Sequence, residues 1–168
     1  VDYYVKLVLH MNCADASTTF TASSASLHTV TAVGNAQIDT SYYKLGTASG
    51  WFDGTGDYLT VPDSDDWNFG TGNFTIDFWI RSADYSYGNQ VYVSQYVDDN
   101  NYWYIGQIGG KITFVYVQGG TVKAYYFNDN IAVAGTWNHI EVVRNGTTCY
   151  VFVNGNKDNL HIAADIFF

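Results

Sequence analysis

The sequence of 168 residues contains very little proline, methionine or glutamate. There is one Pro, at Pro62, one Met, at Met11, and one Glu, at Glu141. Good helix formers are therefore scarce, whereas the aromatic and β-branched residues that favour strands are abundant. This imbalance argues against a helical protein and predicts an all-β fold.

Basic residues are also few. Seven Lys plus Arg stand against sixteen Asp plus Glu, which gives a net charge of −9. A chain this acidic repels polyanions, so DNA and RNA are excluded as expected partners. No apolar run approaches the roughly 18 residues that a membrane helix needs. We therefore expect no insertion into a membrane.

The small number of cysteines indicates that a hydrophobic core, rather than a disulfide framework, stabilises the protein. Cys13 and Cys149 are too few for such a framework in a chain of this length, and the sequence leaves open whether they pair. A chain of 168 residues can bury a substantial core within one domain. We therefore predict a single domain over residues 1–168.

Aromatic residues, by contrast, are abundant: fifteen Tyr, ten Phe and five Trp make up 18% of the chain. They lie in short alternating runs that are separated by Gly, Asn and Asp. FTIDFWIR, residues 74–81, alternates apolar with polar or amphipathic residues and predicts a strand with one buried face. Further strands are predicted at 91–96, 102–108, 111–118, 121–127, 138–144 and 148–153. About a dozen such strands predict two stacked antiparallel sheets.

Three segments, in this order and spacing, resemble the laminin G-like domains of the concanavalin A-like lectin/glucanase superfamily. They are FDGTGDYLTVPDS (52–64), FTIDFWIR (74–81) and GTWNHIEVVRNGTTCYVFVNG (135–155). The opening VKLVLHMN, residues 5–12, looks like the first strand of that family. The resemblance covers about residues 5–157. It implies a two-sheet antiparallel β-sandwich, a jelly roll of the concanavalin A-like type, in which the family's last strands have no clear counterpart.

This resemblance constrains function less than fold. Members of the superfamily include sugar lectins, protein-binding adhesion modules and glycosidases, as well as display domains on bacterial surface proteins and phage tail fibres. Function must therefore be argued from the site residues.

The acidic segment FDGTGDYLTVPDS raises the question of a metal site. In the family this segment is a turn that leads into a strand, and Asp and Gly shape turns through local hydrogen bonds, so a turn is the preferred interpretation. The alternative is one calcium ion bound by Asp15, Asp53 and Asp57. Relatives carry acidic residues where this chain has Asn12 and Ala22. We therefore expect no cofactor and no structural calcium near the first strand.

The single glutamate argues against catalysis. Glycosidases of this superfamily use two carboxylates, normally two Glu close together on one strand. Here Glu141 has no second carboxylate on its own strand. Asp77 is the nearest candidate, but Asp77, Arg81, His139 and Glu141 are better explained as a cross-strand polar group on a sheet surface. We predict that the protein is not an enzyme.

The Tyr-rich loops suggest a carbohydrate-binding site. Aromatic faces stack on the C–H surfaces of sugars, while Asn, Asp and backbone groups bind the hydroxyls. Fifteen Tyr exceed what a core accommodates, because each buried hydroxyl needs a partner. ADYSYGN (83–89) and DDNNYWY (98–104) place aromatic residues beside Asp and Asn. The candidate ligand-binding residues are Tyr85, Tyr87, Asp98, Asn100, Tyr102 and Trp103.

The function predicted from these features is a non-catalytic carbohydrate-recognition or adhesion module that binds a glycan or a surface protein. Its expected setting is extracellular, on a cell surface or on a virion. The alternative is a structural subunit of an extracellular filament, capsid decoration or phage tail fibre, assembled through sheet edges and Tyr-rich surfaces. HIAADIFF, residues 161–168, favours this alternative if it extends to a neighbouring subunit and adds a strand beside that subunit's first strand (5–12). Otherwise the segment folds back onto its own first strand.

Overall fold

The structure is a computed structural model that describes residues 2–85, 88–126 and 132–157, with the backbone alone described over 122–126. Within these ranges it contains thirteen β-strands, all paired antiparallel, and one 3-10 turn at Asp65–Trp67. No helix in the described part of the chain is long and apolar enough to cross a membrane. The prediction of an all-β antiparallel fold is confirmed.

The strands are unevenly distributed, with strands of three to five residues before residue 61 and strands of six to nine residues after residue 73, apart from the two-residue β13. They are β1 (Thr19–Thr21), β2 (Thr29–Val33), β3 (Gln37–Asp39), β4 (Ser49–Trp51), β5 (Tyr58–Thr60), β6 (Phe74–Ile80), β7 (Gln90–Asp98), β8 (Asn101–Ile108), β9 (Lys111–Gln118), β10 (Thr121–Tyr126), β11 (Asn138–Asn145), β12 (Thr148–Val153) and β13 (Asn156–Lys157). The chain divides into two compact units, Val1–Asn68 and Phe69–Phe168. The single domain expected over residues 1–168 stays a prediction.

The first unit is built from two small sheets. One has the strand order β1-β2-β5, and the other is the β3-β4 hairpin. The buried centre of this unit consists of Phe20, Ile38 and Ala48. The strands have only three to five residues, and side-chain hydrogen bonds to the backbone also connect the loops of this unit.

The expected first strand over residues 5–12 is not formed. The segment makes one isolated bridge, between Leu9 and Ala22, and a backbone hydrogen bond from the Ser23 amide to the Val8 carbonyl. Met11 has a φ of 57°, in the left-handed region, so the extended backbone cannot continue through it. The long first strand with which another chain was expected to pair is therefore not formed.

The second unit is a β-sandwich. Its two four-stranded sheets have the orders β10-β9-β8-β7 and β13-β12-β11-β6. The inner faces pack into one core, to which β8 and β9 contribute large residues such as Ile105 and Phe114, and β11 and β12 contribute residues such as Val142 and Val151. The apolar residues of β6 pack against the same core, as the alternation in FTIDFWIR predicts.

Glycine and asparagine form the predicted turns of this sandwich. Gly109-Gly110 and Gly119-Gly120 all have positive φ and connect β8, β9 and β10 as a meander. Asn154 and Gly155 have φ values of 53° and 76°, which two-residue hairpins of this type require. The strand boundaries in this part of the chain therefore agree closely with those predicted.

Both cysteines are free thiols in the structure. Cys149 is buried in the core of the sandwich, and its burial raises the pKa of the thiol to about 11. The thiol is therefore protonated at neutral pH, which suits a packing residue rather than a reactive one. Residues 161–168, for which strand pairing was predicted, lie outside the described residues.

Candidate ligand-binding site

The candidate site lies on the outer face of β7 and β8. Side chains alternate along β8, so Tyr102 and Tyr104 lie on one face of the sheet while Trp103 lies on the other. Across the hairpin, Tyr102 pairs with Tyr96 and Tyr104 pairs with Ser94. Since directly paired residues share a face, three tyrosines and one serine meet on the outside of the sandwich.

The three tyrosine rings are close together and nearly parallel. The ring centroids of Tyr96 and Tyr102 are 6.1 Å apart with planes inclined by 29°, and those of Tyr102 and Tyr104 are 6.4 Å apart with planes inclined by 10°. They border a groove of about 320 Å³. The described residues lining this groove are Val91, Ser94, Gln95, Tyr96, Asp99, Tyr102, Trp103 and Tyr104.

The groove is open to solvent. Tyr96 is 64% exposed, and Tyr102 and Tyr104 are half-buried. The Tyr96 hydroxyl donates a hydrogen bond of 2.7 Å to Oδ1 of Asp99, and this bond raises the pKa of Tyr96 above its usual value. The pair fixes the Tyr96 ring and leaves the Asp99 carboxylate at the edge of the groove as a hydrogen-bond acceptor.

The turn between β7 and β8 holds this arrangement in place. Oδ1 of Asp98 accepts hydrogen bonds from the Asn100 amide, at 2.8 Å, and from Nδ2 of Asn101, at 2.9 Å. The Asn100 carbonyl accepts a bond from the Gly120 amide at 3.1 Å. Asp98 and Asn100 therefore shape the turn beside the groove, as Asx residues commonly do.

The structure separates the predicted ligand-binding residues. Tyr102 lies in the groove, with Asp98 and Asn100 in the adjoining turn. Trp103 is 7% exposed, packs in the core of the sandwich and donates from Nε1 to Oε1 of Gln95 at 2.9 Å. Tyr85 is 8% exposed and belongs to the same core.

The burial of Tyr85 and Trp103 favours a packing role for both, although Trp103 also belongs to the lining of the groove. Trp103 is turned inward by the alternation of β8, one position away from two outward tyrosines. Tyr87 lies outside the described residues. The ligand-binding role of all these side chains stays a prediction.

Two tyrosines of the groove, Tyr96 and Tyr104, were missing from the prediction. Both could have been identified from the sequence. Tyr104 follows Tyr102 by two residues and so shares its face, and the short turn at 98–101 brings Tyr96 opposite Tyr102. The register of one hairpin would have identified the cluster.

The carboxylates of the segment 52–64 form a turn. Asp57 accepts from the amides of Asn35 and Asp53, the latter at 2.7 Å, and the bond from the Asp53 amide lowers the pKa of Asp57. Oδ1 of Asp53 accepts from the Thr55 amide at 2.7 Å. These bonds support the interpretation of Asp53 and Asp57 as turn residues.

The third predicted calcium ligand, Asp15, has partners of its own. Its Oδ1 accepts from the amide and the hydroxyl of Thr40, at 3.0 and 3.1 Å, and the amide bond lowers the pKa of Asp15. Among the residues the structure describes, no group of three or more His, Cys, Asp or Glu is placed to hold a metal ion. Whether these residues bind calcium is tested by melting with and without a chelator.

Three of the four polar residues predicted as a cross-strand group, Asp77, His139 and Glu141, lie together on the other sheet. Asp77 and Glu141 are direct partners on β6 and β11. Nε2 of His139 lies 3.3 Å from Oδ2 of Asp77, and the His139 ring packs against Trp79 with centroids 5.0 Å apart. Arg81 donates from Nε to the Gly135 carbonyl at 3.1 Å.

The fold is also found in solved structures of toxin binding domains. The receptor binding domain of botulinum neurotoxin C/D mosaic serotype is 16% identical and covers 86% of this chain with a TM-score of 0.67. The binding domain of botulinum neurotoxin DC in complex with rat synaptotagmin II is 17% identical and covers 96%, also with a TM-score of 0.67. The same binding domain in complex with SialylT is 19% identical and covers 96%, with a TM-score of 0.66.

These likenesses show the fold alone, because the sequence identities are low. The chain spans 37% to 40% of the length of the three domains. A comparison with curated proteins gives no significant match. A family model described as the concanavalin A-like lectin/glucanases superfamily, of the laminin G type, matches residues 53–164, which is more than half of the chain. The chain therefore belongs to the concanavalin A-like lectin/glucanases superfamily.

Proposed function

We propose that this chain is a non-catalytic binding module that recognises a glycan through the groove on β7 and β8. The observation that carries the proposal is the cluster of Tyr96, Tyr102 and Tyr104, whose nearly parallel rings border an open groove of about 320 Å³. This volume is at the lower end of the range of about 300 to 1,000 Å³ that is usual for small-ligand pockets. A short stretch of an oligosaccharide is a ligand of suitable size.

The chemistry of the groove suits sugars. Tyrosine rings offer apolar faces to the C–H surface of a pyranose while their hydroxyls remain near water. Ser94 and Asp99 add a hydroxyl and a carboxylate within the same groove. Outward tyrosines also suit protein interfaces, so a surface protein is the alternative partner.

The arrangement of carboxylates argues against glycoside hydrolysis. That reaction needs two carboxyl groups on either side of the scissile bond, about 5 to 9.5 Å apart. Of the described residues lining the groove, Asp99 alone carries a carboxylate, and it is bonded to Tyr96. The one Glu of the chain, Glu141, lies on the other sheet of the sandwich.

The structural neighbours support a binding role. They are receptor binding domains of botulinum neurotoxins, among them one in complex with SialylT, one in complex with rat synaptotagmin II, and one from a toxin whose cell entry depends on two ganglioside molecules. Those ligands belong to those proteins. For this chain we propose a glycan or a surface protein as partner, and an extracellular, cell-surface or virion setting.

The second candidate function is a structural subunit that assembles through sheet edges. β7 is the edge strand of its four-stranded sheet in the described chain, and its Val91 and Val97 are 57% and 70% exposed. Exposed apolar residues on an edge strand favour pairing with another chain. The strand also carries register shifts between Val91 and Val93 and between Tyr96 and Asp98, and such bulges oppose edge pairing.

A glycan array and a mass measurement in dilute solution separate the two functions. The binding module is expected to bind a set of related glycans as a monomer, and Tyr102→Ala should weaken the array signal several-fold or more. Tyr58→Ala is the matched control, since Tyr58 is 51% exposed but does not line the groove. Oligomers in solution together with an empty array would favour the structural subunit.

A further inference from the structure

We infer that the groove on β7 and β8 selects neutral glycans and rejects anionic ones such as sialylated or sulfated sugars. This inference rests on the proposed function. It concerns the charge of the ligand, which the geometry of the tyrosine rings does not determine.

The charge of the groove is negative. Asp99 is the one charged side chain among the described lining residues, and Asp98 lies next to it in the turn. No Lys, Arg or His belongs to that lining. The chain as a whole carries a charge of −9, so its long-range field adds to the repulsion of an anion.

Three cations of the sandwich have partners away from the groove. Arg144 is 2% exposed and donates from Nη1 to the Gly70 carbonyl at 2.7 Å. Nζ of Lys157 lies 4.3 Å from the centroid of the Tyr150 ring. Arg81 donates to the Gly135 carbonyl. None of these three cations lines the groove.

The hydrogen-bonded pair of Tyr96 and Asp99 favours ligands that donate. The proton of the Tyr96 hydroxyl is directed to Asp99, so the oxygen atoms of both side chains face the groove as acceptors. A sugar hydroxyl can donate to them. A carboxylate or sulfate has no proton to donate, so beside Asp99 it would meet a carboxylate of like charge and form no hydrogen bond with it.

Matched pairs of glycans provide the test. Each neutral oligosaccharide on the array is printed beside its sialylated and its sulfated derivative, and affinities for the best pair are then measured by calorimetry at two salt concentrations. We expect the neutral member to bind at least about tenfold more tightly at low salt, with a smaller difference at high salt.

The variant Asp99→Asn tests the role of the carboxylate. It should improve binding of the anionic member by roughly threefold, the effect of one exposed charge pair, with little change for the neutral one. Asp63→Asn is the matched control, because Asp63 is exposed and does not line the groove. An unchanged melting midpoint confirms that both variants fold.

The outcomes distinguish the inference from the function on which it rests. If the anionic member binds equally well or better, and Tyr102→Ala weakens that binding, the module is a glycan binder and the inference is wrong. If no glycan binds, or if Tyr102→Ala leaves binding intact, the proposed groove itself is wrong and the inference fails with it.

Discussion

Tyr96 and Tyr102 face each other across the β7–β8 hairpin, with ring centroids 6.1 Å apart on the outer face of the sandwich. Cross-strand aromatic pairs stabilise a sheet, yet this pair lies on the side away from the core and Tyr96 is 64% exposed. Together with Tyr104 and Asp99 it lines the groove that we propose as the glycan site.

Two substitutions at Tyr96 separate the contribution of the ring from that of the hydroxyl. Tyr96→Ala should weaken glycan binding by about 1 kcal/mol or more, because it removes an aromatic contact. Tyr96→Phe keeps the ring and should cost less. Calorimetry with the best array ligand measures both, and a larger loss for Phe than for Ala would contradict a stacking role.

Trp103→Ala should mainly reduce stability. Trp103 packs in the core of the sandwich and bonds to Gln95, so its removal should lower the free energy of unfolding by about 3 to 5 kcal/mol. Denaturant unfolding measures this loss. A variant of full stability that no longer binds glycan would restore Trp103 as a direct ligand contact.

The acid stability of the first unit should depend on Asp66. Its carboxylate accepts from the Ser26 hydroxyl at 2.7 Å and lies 2.9 Å from Nε2 of His28 and 3.0 Å from Nζ of Lys6. The Ser26 bond first, and then the bonds from Lys6 and His28, lower the pKa of Asp66 from 3.8 to about 2.

Because the folded pKa lies below the unfolded one, this contribution is complete above about pH 4 and is lost as the pH falls toward 2. Asp66→Asn should therefore lower the melting midpoint at neutral pH and flatten its fall between pH 4 and 2. Melting curves across this range compare the variant with Asp63→Asn. If the melting midpoints of the wild type and Asp66→Asn fall in parallel as the pH decreases, Asp66 is not the group whose protonation destabilises the protein.

Chelation should shift the melting midpoint only slightly. The carboxylates of Asp15, Asp53 and Asp57 already accept protein hydrogen bonds, so calcium is not needed to hold their loops. Calorimetric melting with and without a chelator measures the shift. A fall of about ten degrees or more would show a structural ion, and these three residues would be the first to mutate.

The sandwich was predictable because its signals are local. The period of two in residues 74–81 and the turn residues at 109–110 and 145–146 define strands and hairpins without knowledge of distant partners. The segment 5–12 carries a similar alternation but forms no strand, because Met11 leaves the extended region and the one bridge is to the distant Ala22.

The candidate site was only partly predictable. Its turn and Tyr102 are visible in DDNNYWY. The direction of Trp103, however, depends on which alternate residues of β8 face the core, and composition does not give this. Tyr96 joins the site through the register of the hairpin. A cluster that spans two strands can be found only once their pairing is fixed.

The most direct test of the groove is an NMR titration with the best array ligand that follows the ring signals of individual tyrosines. Glycan binding in the groove predicts the largest shifts for Tyr96, Tyr102 and Tyr104 and no shift for Tyr58, which is also exposed. Shifts confined to residues 2–68, or no shift at saturating ligand, would contradict it.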